Sequence, residues 1–249
     1  QQRADAMPGR WARHGGPADR RILDRLTTYA LAAVTASVEA DVRRLATDTG
    51  MSRESARRAL LRLRADGWLA HVEAADGARA ARWLIDPQND LHRETGKGVS
   101  QAAIAARRRL HLLEVLRCRT RTSAHDVFTY GALGLHAGNV YARLLEHTPP
   151  HEHDRALQQL LDHDLARAHG PRIQPGPDHR YAVARRLGAA GTIERRAARY
   201  RLEREVWAWW IAELDWMQTK GRSRTARRST SPLLWRSRGA DHFPAMPRA

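Results

Sequence analysis

A mainly α-helical chain with small β-wings is the fold class this 249-residue sequence predicts: tandem winged helix-turn-helix domains, then a long C-terminal helix. Three observations predict it. Residues 52–85 read as a capped basic helix followed by a hairpin. The stretch 132–183 repeats that order in shortened form. Residues 192–217 carry apolar side chains at helical, near-heptad spacing.

The elements follow in order. Residues 1–17 hold Pro8, Gly9, Gly15, Gly16 and Pro17 among Arg3, Arg10 and Arg13, which predicts a mobile basic arm. Ile22, Leu26, Tyr29, Ala30 and Ala33 recur as one face of a first helix. Thr35 to Val38 is β-prone, and Val42, Leu45 and Ala46 mark a short second helix ended at Gly50. Met51 is expected to plug the turn. Ser52 is the expected N-cap of the third helix, because its hydroxyl accepts a first-turn N–H. Ala56, Ala59, Leu60 and Leu63 form the buried stripe of that helix, and Gly67 ends it. Trp68 to Val72 and Ala80 to Ile85 then make a hairpin, turning at Asp76-Gly77. These elements compose a winged helix-turn-helix over residues 18–90.

Residues 91–100 are polar and rich in turn formers and read as a linker. A second, degenerate winged-helix domain is expected over 101–185. It opens on a helix from Gln101 to Cys118 through Ile104, Leu110, Leu113, Val115 and Leu116. Leu135, Val140, Tyr141 and Leu144 predict another helix, and Leu157, Leu160 and Leu161 a third. A strand starts near Leu165, Gly170 to Arg180 is the wing tip, and Tyr181 to Val183 is the returning strand. Too few residues separate Pro150 from Ala156 for a full middle helix. Groove reading, dimerisation and phosphate contact all stay open for this unit.

The long amphipathic helix is expected within 186–219. Ile193, Tyr200, Trp207 and Leu214 repeat every seven residues, and Ala197, Trp210, Ile211 and Met217 widen the stripe. It either packs back as core or pairs with a second copy of the chain. Residues 220–249 are a basic tail: from residue 218 onward seven arginines and Lys220 face Asp241 alone.

Charge sets the partner class. The net charge is +16, which attracts polyanions and opposes self-association. Of 43 basic residues only Lys97 and Lys220 are lysine, a bias that a GC-rich genome also produces. The net excess is the informative part, and it points to nucleic acid. Cys118 is the single cysteine, which excludes a disulfide framework and any multi-cysteine zinc site. We expect a reducing cytoplasm, with the protein on the nucleoid or a plasmid. No apolar run suits a membrane span and no signal peptide is visible. The chain opens on Gln1, so a trimmed piece of a longer protein is expected.

Arginine matches the O6 and N7 acceptors of guanine bidentately, and a helix brings its first turns to the major-groove floor. The DNA-contact candidates are therefore Ser52, Arg53, Glu54, Ser55, Arg57 and Arg58 on the third helix. His71, Arg79 and Arg82 are added from the wing, and Arg107 and Arg108 from the helix after the linker. Glu54 either orients an arginine or accepts from a cytosine amino group. For every one of these charges a solvated surface is the competing explanation.

Chemistry-bearing motifs are few. Asp162-His163-Asp164 resembles the paired-carboxylate metal motif of primase-type polymerases, but lies at a helix end. His147, His151, His153 and His163 lack a clear zinc-ligand pattern. Gly96-Lys97-Gly98 lacks the spacing of a phosphate loop. No nucleophile elbow is present. We expect no catalytic residue, no metal and no cofactor.

The segment SRESARRALLRLRADGWL is similar to the recognition helix of bacterial winged-helix regulators of the GntR and MarR kinds, through Ser52, Arg53, Arg57, Ala59, Leu60, Leu63 and Gly67. The layout, with ALGLHAGNVYARL and REVWAWWIAELDWM, resembles actinobacterial plasmid replication proteins. That resemblance implies binding of double-stranded DNA at an origin or iteron-like repeat, with a replication-machinery partner. A repressor, dimeric through 192–217, and a primase-polymerase fragment are the alternatives.

Overall fold

Helices dominate this chain, and its strands form small antiparallel sheets, as the computed structural model shows. Residues 1–76, 79–86, 99–148, 155–170 and 172–228 are described, without the side chains of 99–101 and 221–228. The turn tip at Gly77, most of the expected linker, His151, His153 and the tail beyond 228 lie outside the described residues.

The first seventeen residues differ from the expected mobile arm. They form α1 (Gln2–Asp5) and α2 (Pro8–Ala12). The Trp11 indole donates to the Ala4 carbonyl at 2.7 Å, and its ring packs at 5.3 Å from Trp68. Arg3 stacks over Trp68 and pairs with Asp86, while Arg10 pairs with Asp66 and Asp19. The prolines and Gly15 start helices here: Pro8 opens α2, and Gly15, at φ 79°, caps α3.

α3 (Gly16–Ala33) buries Ile22, Leu23 and Leu26. β1 (Ser37–Glu39) and α4 (Val42–Asp48) follow, and the Asp41 carboxylate caps α4 by accepting from the Arg43 and Arg44 amides. Gly50 at φ 70° and buried Met51 make the turn into α5 (Arg53–Ala65). Ser52 caps α5, its hydroxyl accepting the Ser55 N–H at 3.0 Å. Ala56, Ala59, Leu60 and Leu63 are buried. Gly67 takes φ 71°, and the Trp68 amide reaches back to the Leu63 carbonyl at 2.8 Å. β2 (Leu69–Glu73) and β3 (Arg82–Ile85) close a three-stranded sheet in the order β1-β3-β2, with Val38 opposite Trp83.

α6 (Val99–Ser123) runs five residues past the expected end at Cys118. Its last turn hides hydroxyls that bond to its own carbonyls, Thr120 to Leu116 and Ser123 to Thr120, so polarity there does not signal a terminus. A 3-10 turn at Asp126–Phe128 leads to α7 (Gly134–Leu145) and α8 (Arg155–Asp162). α6, α7 and α8 are the three helices expected for this half. β4 (Ala166–His169) and β5 (Arg172–Pro175) pair directly. The return strand is therefore 172–175, and the expected strand at Tyr181 to Val183 is instead α9 (Arg180–Arg186). Val183 and Ala184 are both buried, and adjacent residues of a strand would point to opposite faces.

The end of α8 mirrors that of α5. Asp164 takes φ 57°, and the Leu165 amide reaches the Leu160 carbonyl at 2.8 Å. Phe128, Tyr141, Leu157, Leu160, Leu165 and Val183 centre the core of this half. Arg21 of α3 joins the halves, donating to Asn139 Oδ1 at 2.8 Å, the Leu135 carbonyl at 2.8 Å and the Thr49 carbonyl at 3.0 Å. Gly138 is required beside it, since a Cβ there would strike the Arg21 guanidinium and Phe128.

Two units divide the chain, Gln1–Ile193 and Glu194–Ala249. The second belongs to α10 (Thr192–Arg228), the long helix expected, which continues beyond Met217. Along it Val206, Trp207, Trp210, Ile211 and Met217 are exposed. No helix among the described residues is long and apolar enough to cross a membrane.

Candidate nucleic-acid interface

α5 separates its residues by face. Its four apolar residues point inward, and Arg53, Arg57, Arg58 and Arg64 are exposed. Arg53, Arg57 and Arg64 recur at helical spacing, so they share one outward strip with Leu61, itself 45% exposed. Glu54 accepts from Arg58 Nε at 2.7 Å and lies 3.7 Å from Arg57 Nη1. It therefore holds the arginines in place at the helix surface. Pairs this exposed contribute only about 0.3–0.5 kcal/mol each, so a stronger acceptor can displace them.

The remaining arginine of α5 is structural. Arg62 grips the Asp19 carboxylate of α3 with Nη2 at 2.6 Å and Nε at 3.0 Å, and also donates to the Gly15 carbonyl at 3.3 Å. Burial pushes the Asp19 pKa up, against the opposing pull of Arg62 and Arg10. This clamp fixes the outward strip relative to α3.

The other expected contacts divide. Ser52 and Ser55 face each other at 2.9 Å, and their chemistry is consumed in capping α5. In the wing, His71 meets Trp83 edge-on at 4.8 Å and Arg79 is exposed, its backbone paired with Asp76. Arg82 is not a free wing cation. It lies on the middle strand, bonded to Glu39 of β1 at 3.0 Å and 3.8 Å from Glu73 of β2. Arg107 and Arg108 are exposed on α6.

Sequence reasoning missed Arg167 and Arg172. Both are exposed on the second hairpin, where Arg167 stands opposite Gln174 and His169 opposite Arg172. The signal that could have found them is the placement of Arg167, His169 and Arg172 about Gly170, which the longer expected wing obscures.

Asp162 closes α8 and accepts from Gln158 at 2.8 Å, while His163 Nδ1 meets Arg186 at 2.9 Å. Among the described residues no three of His, Cys, Asp and Glu converge as metal ligands would. Comparison of the chain with protein-family models, with curated proteins and with solved structures finds no match.

Proposed function

We propose that this protein binds double-stranded DNA in a sequence-specific way, through tandem winged helix-turn-helix units. The observation that carries this reading is α5. One face is fully buried, while the opposite face presents Arg53, Arg57 and Arg64 beside a short hairpin. A helix so oriented suits the major groove, with the hairpin against flanking phosphates. The repeated order of helices and hairpin in the second half supports two contacts along one duplex, about one helical turn apart. Together with the resemblance to plasmid replication proteins, this favours initiation or maintenance of plasmid replication in the cytoplasm, with no catalysis by this chain.

Selection of bound sequences from random duplexes, followed by footprinting, tests the reading. Arg53→Ala and Arg57→Ala should each relax preference at one or two positions, by about 1–3 kcal/mol for each guanine pairing removed. Unchanged specificity in both variants would refute the assignment of α5 to the groove.

The exposed apolar residues of α10 favour a second reading, a repressor that dimerises through that helix. Palindromic sites and a solution dimer would select it. Directly repeated sites would select replication.

A further inference from the structure

A cleft of about 370 Å³ opens within the Gln1–Ile193 unit, where α1, α2 and α3 meet α6 and α7. Four arginines line it, Arg20, Arg21, Arg119 and Arg143, against Asp5 and Asp24. Arg20 and Arg119 are satisfied. Arg20 pairs with Asp24 at 2.9 Å and Asp5 at 2.5 Å, and Arg119 pairs with Glu146 at 2.6 Å and Asp24 at 3.3 Å. Arg21 donates one hydrogen bond from each of its three nitrogens, all to neutral acceptors. Arg143 is half-buried, and its guanidinium has neither a hydrogen bond nor an ion pair among the described residues. Burial first, then the like charges of Arg119 and Arg20, push its pKa down, against the weaker opposing pull of Asp5 and Glu146. With Glu146 counted, four arginines face three acids among the described residues, an excess of one positive charge.

An unpaired guanidinium held beside two others is unfavourable unless an anion completes the site. We propose that the cleft binds a small phosphate monoester, its phosphate on Arg143 and its hydroxyl groups toward Asp5, whose side chain is half-exposed. Arginine suits phosphate because its planar fork donates two parallel hydrogen bonds. The volume lies in the range of small-molecule pockets and exceeds what a bare phosphate fills. The Asp5 carboxylate in the same lining accepts from hydroxyls, a demand that an ester with a sugar moiety meets.

Calorimetric titration of the full chain in phosphate-free buffer tests this. The ligands are ribose 5-phosphate, adenosine monophosphate, inorganic phosphate and uncharged adenosine. Both esters should saturate one site, phosphate should bind more weakly, and adenosine should give no heat. Arg143→Gln should weaken ester binding about tenfold or more, since losing even one charge-assisted hydrogen bond of the pair has that effect. Its melting temperature should equal or exceed that of the wild type, because burial and the like charges of Arg119 and Arg20 outweigh the pull of Asp5 and Glu146 on this guanidinium. Arg143→Lys should restore part of the affinity, and Arg108→Gln should change nothing. The proposal is overturned if no ester binds, if phosphate alone binds as tightly, or if adenosine binds as well as its monophosphate. It also fails if Arg143→Gln binds like wild type or melts well below it, or if Arg108→Gln weakens binding equally.

Discussion

Arg62→Met removes the clamp between α5 and α3 while keeping most of the aliphatic bulk. Asp19, only 3% exposed, then keeps Arg10 at 3.6 Å as its remaining cationic partner. Breaking a fully buried pair costs about 3–5 kcal/mol. The Arg62 side chain is 38% exposed and Arg10 remains, so the loss should fall near about 2–3 kcal/mol. For a unit of this size that lowers the melting temperature by about 4–12 °C. The pH dependence identifies the cause. The Asp19 pKa is already raised by burial, and losing Arg62 raises it further. A carboxyl whose folded pKa lies above its unfolded value favours the fold at low pH, and that contribution fades as pH rises through the folded pKa. The deficit of the variant should therefore grow from pH 5 to pH 7.5. Calorimetric melts across that range measure it. A variant within about 1 °C of wild type at pH 7.5, or a deficit independent of pH, would refute the clamp.

Two further outcomes are expected. His125 caps the 3-10 turn by accepting the Val127 amide on Nδ1 at 3.2 Å, and burial and Arg180 lower its pKa below the ordinary 6.5. Its contribution is complete above pH 6.5 and is lost as the pH falls through the lowered value, so His125→Asn should flatten the acid limb of a stability curve. Trp207→Ala with Trp210→Ala should convert any α10-mediated dimer to monomer in sedimentation velocity without lowering the melting temperature of the Gln1–Ile193 unit.

Where structure depends on neighbours in sequence, it was legible. Ser52, Gly67, Met51 and the stripe from Ala56 to Leu63 each announce their role within a few residues. The N-terminal helices were not legible, because Trp11 is held by Trp68, far along the chain. Without that partner, a stretch of Gly, Pro and Arg reads as an arm. The arginines of α5 show the same limit within one helix. Arg57 and Arg62 have identical chemistry, and only the position of Asp19 on α3 makes Arg62 structural. The role of Arg82 is equally hidden, since Glu39 comes opposite it only through the sheet order. Net charge cannot distinguish these uses. Arg10, Arg20, Arg25, Arg62 and Arg119 all meet carboxylates within the fold.

Among the outward arginines, those of α5 and those of the second hairpin sit on elements of different character, which gives the proposed DNA reading an asymmetry. α5 presents Arg53, Arg57 and Arg64 from a rigid helix, whereas exposed Arg155, Gln158 and Asp162 of α8 are mixed in charge, with Gln158 bonded to Asp162. Strong cations return in the second half on its hairpin, at Arg167 and Arg172. A hairpin cation without a groove helix behind it contacts phosphates, which carry no base identity. Arg167→Ala with Arg172→Ala should therefore weaken all duplexes alike. The slope of log affinity against log salt should fall by about 0.9 for each phosphate no longer neutralised. The preference set by α5 should persist. A change of selected sequence in this double variant, with the salt slope intact, would place base reading in the second half and contradict the division of labour argued from α5 and α8.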